Sequence, residues 1–144
     1  MIGLNYLGKL GQLGNQMFQY ASLRGIATWK GYEYVFPNHS EVVDDGIGNK
    51  LRIELFDAFK IKHSQYGLIN TPKEMHESHF HFDENLFNNC PDDACLIGFF
   101  QTPKYFDHIQ DQIRKDFEFK DEYVESCKEL IDEFDNPVAL HIRR

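Results

Sequence analysis

Three groups of residues in this chain have types and spacing that suit chemistry. The first is Gly8, Gly11 and Gly14, three apart, between an apolar run (Ile2 to Leu7) and a long helical pattern. Glycine admits positive φ and close approach of a ligand to the backbone. The helix that follows turns its unpaired N–H groups and positive dipole end toward the same space. Such a strand–loop–helix unit suits an anion or a polar ligand, and a turn that merely packs helix on strand is the plainer reading. The second group is Arg143-Arg144, preceded by His141, which shares a strand face with Arg143. Guanidiniums are always charged and fork onto phosphate oxygens, although a solvated basic strand end also accounts for them. The third is Glu74-Met75-His76-Glu77-Ser78-His79-Phe80-His81, where Glu77, His79 and His81 would share one face of an extended strand. No matching second cluster accompanies it, and a polar strand face accounts for all three histidines, so that is a plainer reading than a metal site.

The elements that must position these groups alternate. Ile2 to Leu7 reads as a first strand, and Asn15 to Lys30 as a helix with Asn15 as N-cap and Gly31 as its C-terminal stop. On that helix Met17, Phe18, Ala21, Gly25 and Trp29 make a broad apolar arc, with Gln19 and Lys30 opposite. Tyr32 to Phe36 is a second strand, so the chain opens with a βαβ unit and a parallel sheet. Asn38 to Lys50 reads as a surface loop, Leu51 to Phe59 as a short helix, and Met75 to Phe82 as a weak strand. Ala94 to Phe100 is a convincing strand with Gly98 as a close-approach point. Thr102 and Pro103 start a helix continued by Phe106, Ile109, Ile113 and Phe117. A last helix from Asp121 to Phe134 has Tyr123, Cys127, Leu130, Ile131 and Phe134 as its core stripe, and Val138 to Ile142 is a strand.

Size and composition bound the rest. A chain of 144 residues with 42% hydrophobic and 15% aromatic side chains makes one domain with a proper core, which argues against disorder. A net charge of −8 disfavours nucleic-acid and anionic-membrane partners. Met1 runs directly into the first strand with no leader-like segment, and no run approaches the length of a membrane span. Peripheral association with a membrane stays open. Cys90, Cys95 and Cys127 lack metal-type spacing and fit a reducing cytoplasm.

The full string Gly11-Gln12-Leu13-Gly14-Asn15-Gln16-Met17-Phe18-Gln19-Tyr20-Ala21 closely resembles the N-terminal motif of glycosyltransferase family 11, the α-1,2-fucosyltransferases. That motif reads Gly-Gly-Leu-Gly-Asn-Gln-Met-Phe-Gln-Tyr-Ala, and only Gln12 departs from it. Leu96 to Phe106 is similar to the family's Gly-Tyr-Phe-Gln-Ser-x-Lys-Tyr-Phe segment. His141-Ile142-Arg143-Arg144 looks like the start of its His-x-Arg-Arg-x-Asp motif. The three blocks stand in the family's order, and the chain stops before the aspartate of the third.

The resemblance implies an α/β fold: a Rossmann-like N-terminal, acceptor-side domain over residues 1–136 of a two-domain GT-B enzyme. Residues 137–144 would then be the first strand of a truncated GDP-sugar-binding domain. It implies inverting transfer of L-fucose from GDP-β-L-fucose to a sugar hydroxyl of a glycan acceptor, such as a lipopolysaccharide O-antigen, with no metal cofactor. Arg143 would contact the leaving diphosphate, supported by Arg144 and His141. Gly14, Asn15, Gln16, Gln101, Lys104 and Tyr105 would bind substrate. Another GDP-fucose-dependent transferase and a non-catalytic glycan- or nucleotide-binding remnant are the rival readings.

Overall fold

The structure is a computed structural model and describes residues 1–38, 41–62, 65–140 and 142. It is α/β. Strands β1 (Ile2–Gly3), β2 (Tyr34–Val35), β5 (Glu74–His76) and β6 (Ala94–Ile97) form one parallel sheet in the order β2-β1-β6-β5. A small antiparallel ribbon, β3 (Val43–Asp44) with β4 (Lys50–Leu51), stands apart from it. The helices are α1 (Leu13–Lys30), α2 (Leu55–Ala58), α3 (Glu84–Asn89), α4 (Gln110–Asp116) and α5 (Asp121–Ile131), with 3₁₀ turns at Pro103–Tyr105 and Asp107–Ile109. A parallel sheet flanked by helices is compatible with a Rossmann-like fold. Among the described residues no helix is long and apolar enough to cross a membrane.

The first strand is shorter than its apolar run. After Gly3 the chain coils, and Leu4 and Leu7 both enter the core from a turn in which Leu7 N–H donates to Leu4 O. The reason is Asn5, whose amide donates to Ile69 O at 2.8 Å and accepts from Ile69 N–H at 3.0 Å. One side chain thus replaces the ladder bonds that a longer strand would have made.

Helix α1 is buried on the face carrying Gln16, Gln19, Tyr20, Leu23, Ile26 and Ala27, the i, i+3, i+4 spacing of a core-facing helix. This corrects the wheel in two ways. Gln19, expected opposite the apolar arc, is 1% exposed, and Trp29, expected inside it, is 59% exposed. Gln19 can be buried because its amide donates to the carbonyls of Leu10 and Gly98. Gly31, at φ +69°, stops the helix as expected: its N–H and that of Tyr32 close on the carbonyls of Thr28 and Ala27.

Further along, β5 ends at His76 and does not run on to Phe82. Ser78 donates from both N–H and Oγ to Asp83 Oδ2 and folds the chain back, so Glu77, His79 and His81 do not line a strand face. Strand β6 ends before Gly98, and Phe100 sits at φ +53°. The segment expected as a helix over Leu51 to Phe59 begins as β4 and becomes α2 only at Leu55. The stretch after Thr102 is two 3₁₀ turns and α4, and its Ile109 and Ile113 do reach the core.

Helix α5 forms where expected, yet none of its residues is buried. Tyr123, Leu130, Ile131 and, just beyond it, Phe134 are exposed, so this stripe is not core. An amphipathic pattern says that a face wants cover; it does not say that cover exists. Val138, Leu140 and Ile142 are likewise exposed and join no strand among the described residues.

Candidate functional site

The C-terminal ends of the central strands β1 and β6 carry the glycine loop (residues 4–12) and the 98–102 loop, the side on which open α/β sheets bind ligands. At the mouth of α1, Gln12 is the N-cap in an extended conformation and its side chain makes no capping bond. Asn15, expected in that role, lies inside the first turn. The N–H groups of Leu13, Gly14 and Asn15 find no acceptor among the described residues. Leu13 and Gly14, with Gln12, line one side of a cleft of about 390 Å³ whose other side is Lys50, Leu51, Arg52 and Glu54. Arg52 Nη1 lies 3.1 Å from Asp57 Oδ2 at the surface. Lys50 has no ion-pair partner among the described residues.

Gln16 holds the far wall in place from beneath the cleft. It is fully buried; its Nε2 donates to Arg52 O at 2.8 Å, and its Oε1 accepts from Glu54 N–H at 2.9 Å and Leu55 N–H at 3.3 Å. Gly8 makes the same approach from the loop. At φ +81° it lies so close that a Cβ would fall 2.5 Å from Ile53 Cγ1 and 2.7 Å from Ile53 N. Gly11, at φ +80°, covers the Asn15 side chain, which a Cβ there would strike. Gly14 is different: nothing lies within 4 Å of its Cβ position, so it is open to the cleft.

The second sequence block locks onto the first. Gln101 Nε2 donates to Asn15 Oδ1 at 2.7 Å, Gln19 Nε2 donates to Gly98 O at 2.9 Å, and Ser22 Oγ reaches Phe100 O at 3.4 Å. A Cβ on Gly25 would collide with the Tyr105 carbonyl and lie 2.8 Å from Phe106 Cα, so helix and loop touch backbone to backbone. The unusual Phe100 conformation is held by Glu77, whose Oε2 accepts from Phe99 N–H at 3.0 Å and Phe100 N–H at 2.8 Å. Gly98 leaves room for this, since a Cβ would meet Glu77 Cβ at 2.6 Å, as its expected close approach requires.

The sequence-derived residues therefore separate. Gly14, Asn15 and Gln101 come together at the exposed rim. Gln16 lies beneath the cleft with its amide fully engaged. Tyr105 is buried, its hydroxyl accepting from Asp83 N–H at 2.8 Å and lying 3.4 Å from Glu77 Oε1, and burial raises its pKa. Lys104 is exposed, with Nζ 5.8 Å from the centre of the Phe82 ring. His141, Arg143 and Arg144 lie outside the described residues.

Sequence reasoning missed Lys50 and Arg52, although the alternation Lys50-Leu51-Arg52-Ile53-Glu54 is the period of a strand with its polar face outward. It also placed Glu77 on a polar strand face, whereas the carboxylate organises the 98–100 loop. Among the described residues no group of three or more His, Cys, Asp or Glu converges on one point. Beyond Arg52 and Glu54 the cleft continues into an apolar groove of about 790 Å³ lined by Leu13, Ala58, Phe119 and the inner face of α5. In comparisons with known proteins, no family model, no curated protein and no solved structure matches the chain.

Proposed function

We propose that the chain is the N-terminal, acceptor-side part of a GDP-fucose-dependent α-1,2-fucosyltransferase of two-domain GT-B type. In this reading it moves L-fucose from GDP-β-L-fucose to a glycan hydroxyl with inversion. The observation that supports it best is the bonding of Asn15 to Gln101 and of Gln19 to Gly98 beside an open cleft. These join the two sequence blocks that resemble that family at the ligand end of a parallel sheet. The chemistry fits this placement. A diphosphate leaving group needs donors and positive charge where its own charge develops. The free N–H groups of α1 on one side and the side chains of Lys50 and Arg52 on the other supply both across one cleft. By resemblance the principal charge comes from Arg143 and Arg144, and the reading assigns no task to a metal.

The test is transfer of labelled fucose from GDP-fucose to lactose by the chain extended through the sequence that follows Arg144 in its gene. Transfer is expected there, since in this reading the second domain supplies the other wall of the donor cleft. Arg143→Ala should lower turnover about 10²–10³-fold with folding intact, the loss typical of one donor to a developing anion. Arg143→Lys should rescue poorly, since a point charge cannot reproduce the guanidinium fork. A reading frame that stops at Arg144 would overturn the transferase reading, and so would donor binding without transfer to any sugar, which would leave a binding domain.

A further inference from the structure

Beside the cleft, the loops that leave the adjacent parallel strands β5 and β6 present a second feature. Phe80 is 68% exposed, and its ring faces that of Phe99 at 6.2 Å between centroids and 23° between planes. Rings this nearly parallel are stacked, so Phe99 backs Phe80 while much of the Phe80 ring stays exposed. Both rings stand on well-held backbone. Ser78 is tied to Asp83 Oδ2, and Glu77 Oε2 accepts the Phe99 N–H. Phe80 is flanked in sequence by His79 and His81, whose rings are 6.0 Å apart. His79 Nδ1 lies 3.1 Å from His81 O. A carbonyl only accepts, so Nδ1 carries the proton and Nε2 of the neutral ring is left as an acceptor. Phe99 stands on the same loop as Gln101, which bonds to Asn15 at the mouth of α1.

A flat apolar face edged by hydrogen-bonding groups is complementary to a pyranose ring, which has an apolar C–H face and a hydroxyl rim. We propose that the exposed Phe80 ring, backed by Phe99, is the stacking platform for a pyranose ring of the acceptor glycan, with His79 Nε2 accepting a hydrogen bond from one of its hydroxyls. This rests on the transferase reading for the word acceptor; the platform itself rests on the ring geometry. It also gives Phe80 a task, since an aromatic so exposed on a hydrogen-bonded loop contributes little to the core.

The experiment is ligand-observed saturation-transfer NMR on the chain with methyl β-D-galactopyranoside as probe and glycerol as a polyol without a ring face. Saturation should fall mainly on the ring C–H protons, and Phe80→Ala should weaken the interaction about tenfold, as loss of one stacking ring does elsewhere. Phe80→Trp should retain it, and because the side chain is exposed neither variant should change the folding transition. The proposal is overturned if the galactoside receives no more saturation than glycerol or if Phe80→Ala changes nothing. GMP binding that depends on Phe80 in place of the galactoside would also overturn it. The two readings can fail separately. Phe80-dependent galactoside binding in an extended protein that transfers no fucose keeps the platform and removes the transferase. Fucose transfer with an acceptor KM indifferent to Phe80→Ala does the reverse.

Discussion

Replacing Gln16 with alanine separates a ligand contact from a structural clamp. Gln16 is fully buried and serves three backbone groups of the 52–55 segment: Arg52 O, Glu54 N–H and Leu55 N–H. Truncation leaves two good bonds and one long one unmade, each worth about 1 kcal/mol net, so the loss should be about 2–3 kcal/mol. In a chain of this size about 1 kcal/mol moves Tm by roughly 2–4 °C, so Gln16→Ala should melt about 5–10 °C lower. Calorimetry measures the whole effect, and hydrogen exchange should place it at the Glu54 and Leu55 amides. Gln16→Glu sharpens the case. A protonated carboxyl reproduces the amide's donor and acceptor, while a carboxylate points negative charge at the Arg52 carbonyl. Burial would raise that carboxyl's folded pKa above its unfolded value, so the variant should be most stable at low pH and lose stability as pH rises through the folded pKa. A Gln16→Ala protein with an unshifted Tm but no affinity for any sugar or nucleotide would refute this reasoning and return Gln16 to the ligand.

Gly25→Ala should destabilise, reversing the gain of about 1 kcal/mol that alanine normally brings to a helix interior, because the Cβ strikes Tyr105 O; thermal melting checks the sign. Gly14→Ala, which meets nothing within 4 Å, should leave Tm unchanged or raised, and any loss of donor affinity on titration would then report the cleft alone. The Ser78 hydroxyl, with the Leu86 and Ser78 amides, holds the Asp83 carboxyl below the usual carboxylate range. The unfolded chain therefore binds the extra proton first, so this stabilisation is present above about pH 4 and lost as pH falls through the folded pKa. Asp83→Ala should cost about 1 kcal/mol near neutrality, and the gap from the parent should close in acid on a pH series of melts. Burial pushes the Cys90 thiol up to about 11 and raises that of Cys95, so a thiol reagent should label Cys127 quickly and the other two only on unfolding, as mass spectrometry would show.

What the sequence made legible is local. The strand–glycine–helix–strand opening, the stop at Gly31, the strand at Ala94 and the start of α5 at Asp121 all follow from near neighbours and appear in the structure. What it hid depends on distant partners. Asn15 looks like an N-cap, but its oxygen is taken by Gln101, 86 residues away, and Gln12 occupies the N-cap position without a side-chain bond. Gln19 looks polar enough for the surface until Leu10 O and Gly98 O stand over it. Asn5 shortens a strand that its apolar neighbours would have extended, by bonding to Ile69. The α5 stripe was legible as a pattern, and its exposure was not. In each case hydropathy reports what a side chain prefers, while its fate is decided by groups brought near only by the fold.

That distinction bears on how much of the Gly11 to Ala21 string can act on a ligand. Gln16 holds the 52–55 segment, Gln19 holds the ends of both loops, and the Tyr20 hydroxyl donates to Asp116 Oδ2 while its ring stacks on Phe36 at 4.8 Å. These side chains are spent inside the protein. The rim keeps only the open Gly14, the amide of Asn15 shared with Gln101, and N–H groups without acceptors. Such a rim can orient a polar or anionic group, but it contains no side chain able to carry charge or take a proton. Any charge must come from the opposite wall, where Lys50 and Arg52 stand, or from residues outside the string. Changes at Gln16, Gln19 or Tyr20 should therefore lower stability and activity together, through the shape of the cleft. Changes at Gly14 or Asn15 should reach the ligand first, because that is where the string stops serving the fold.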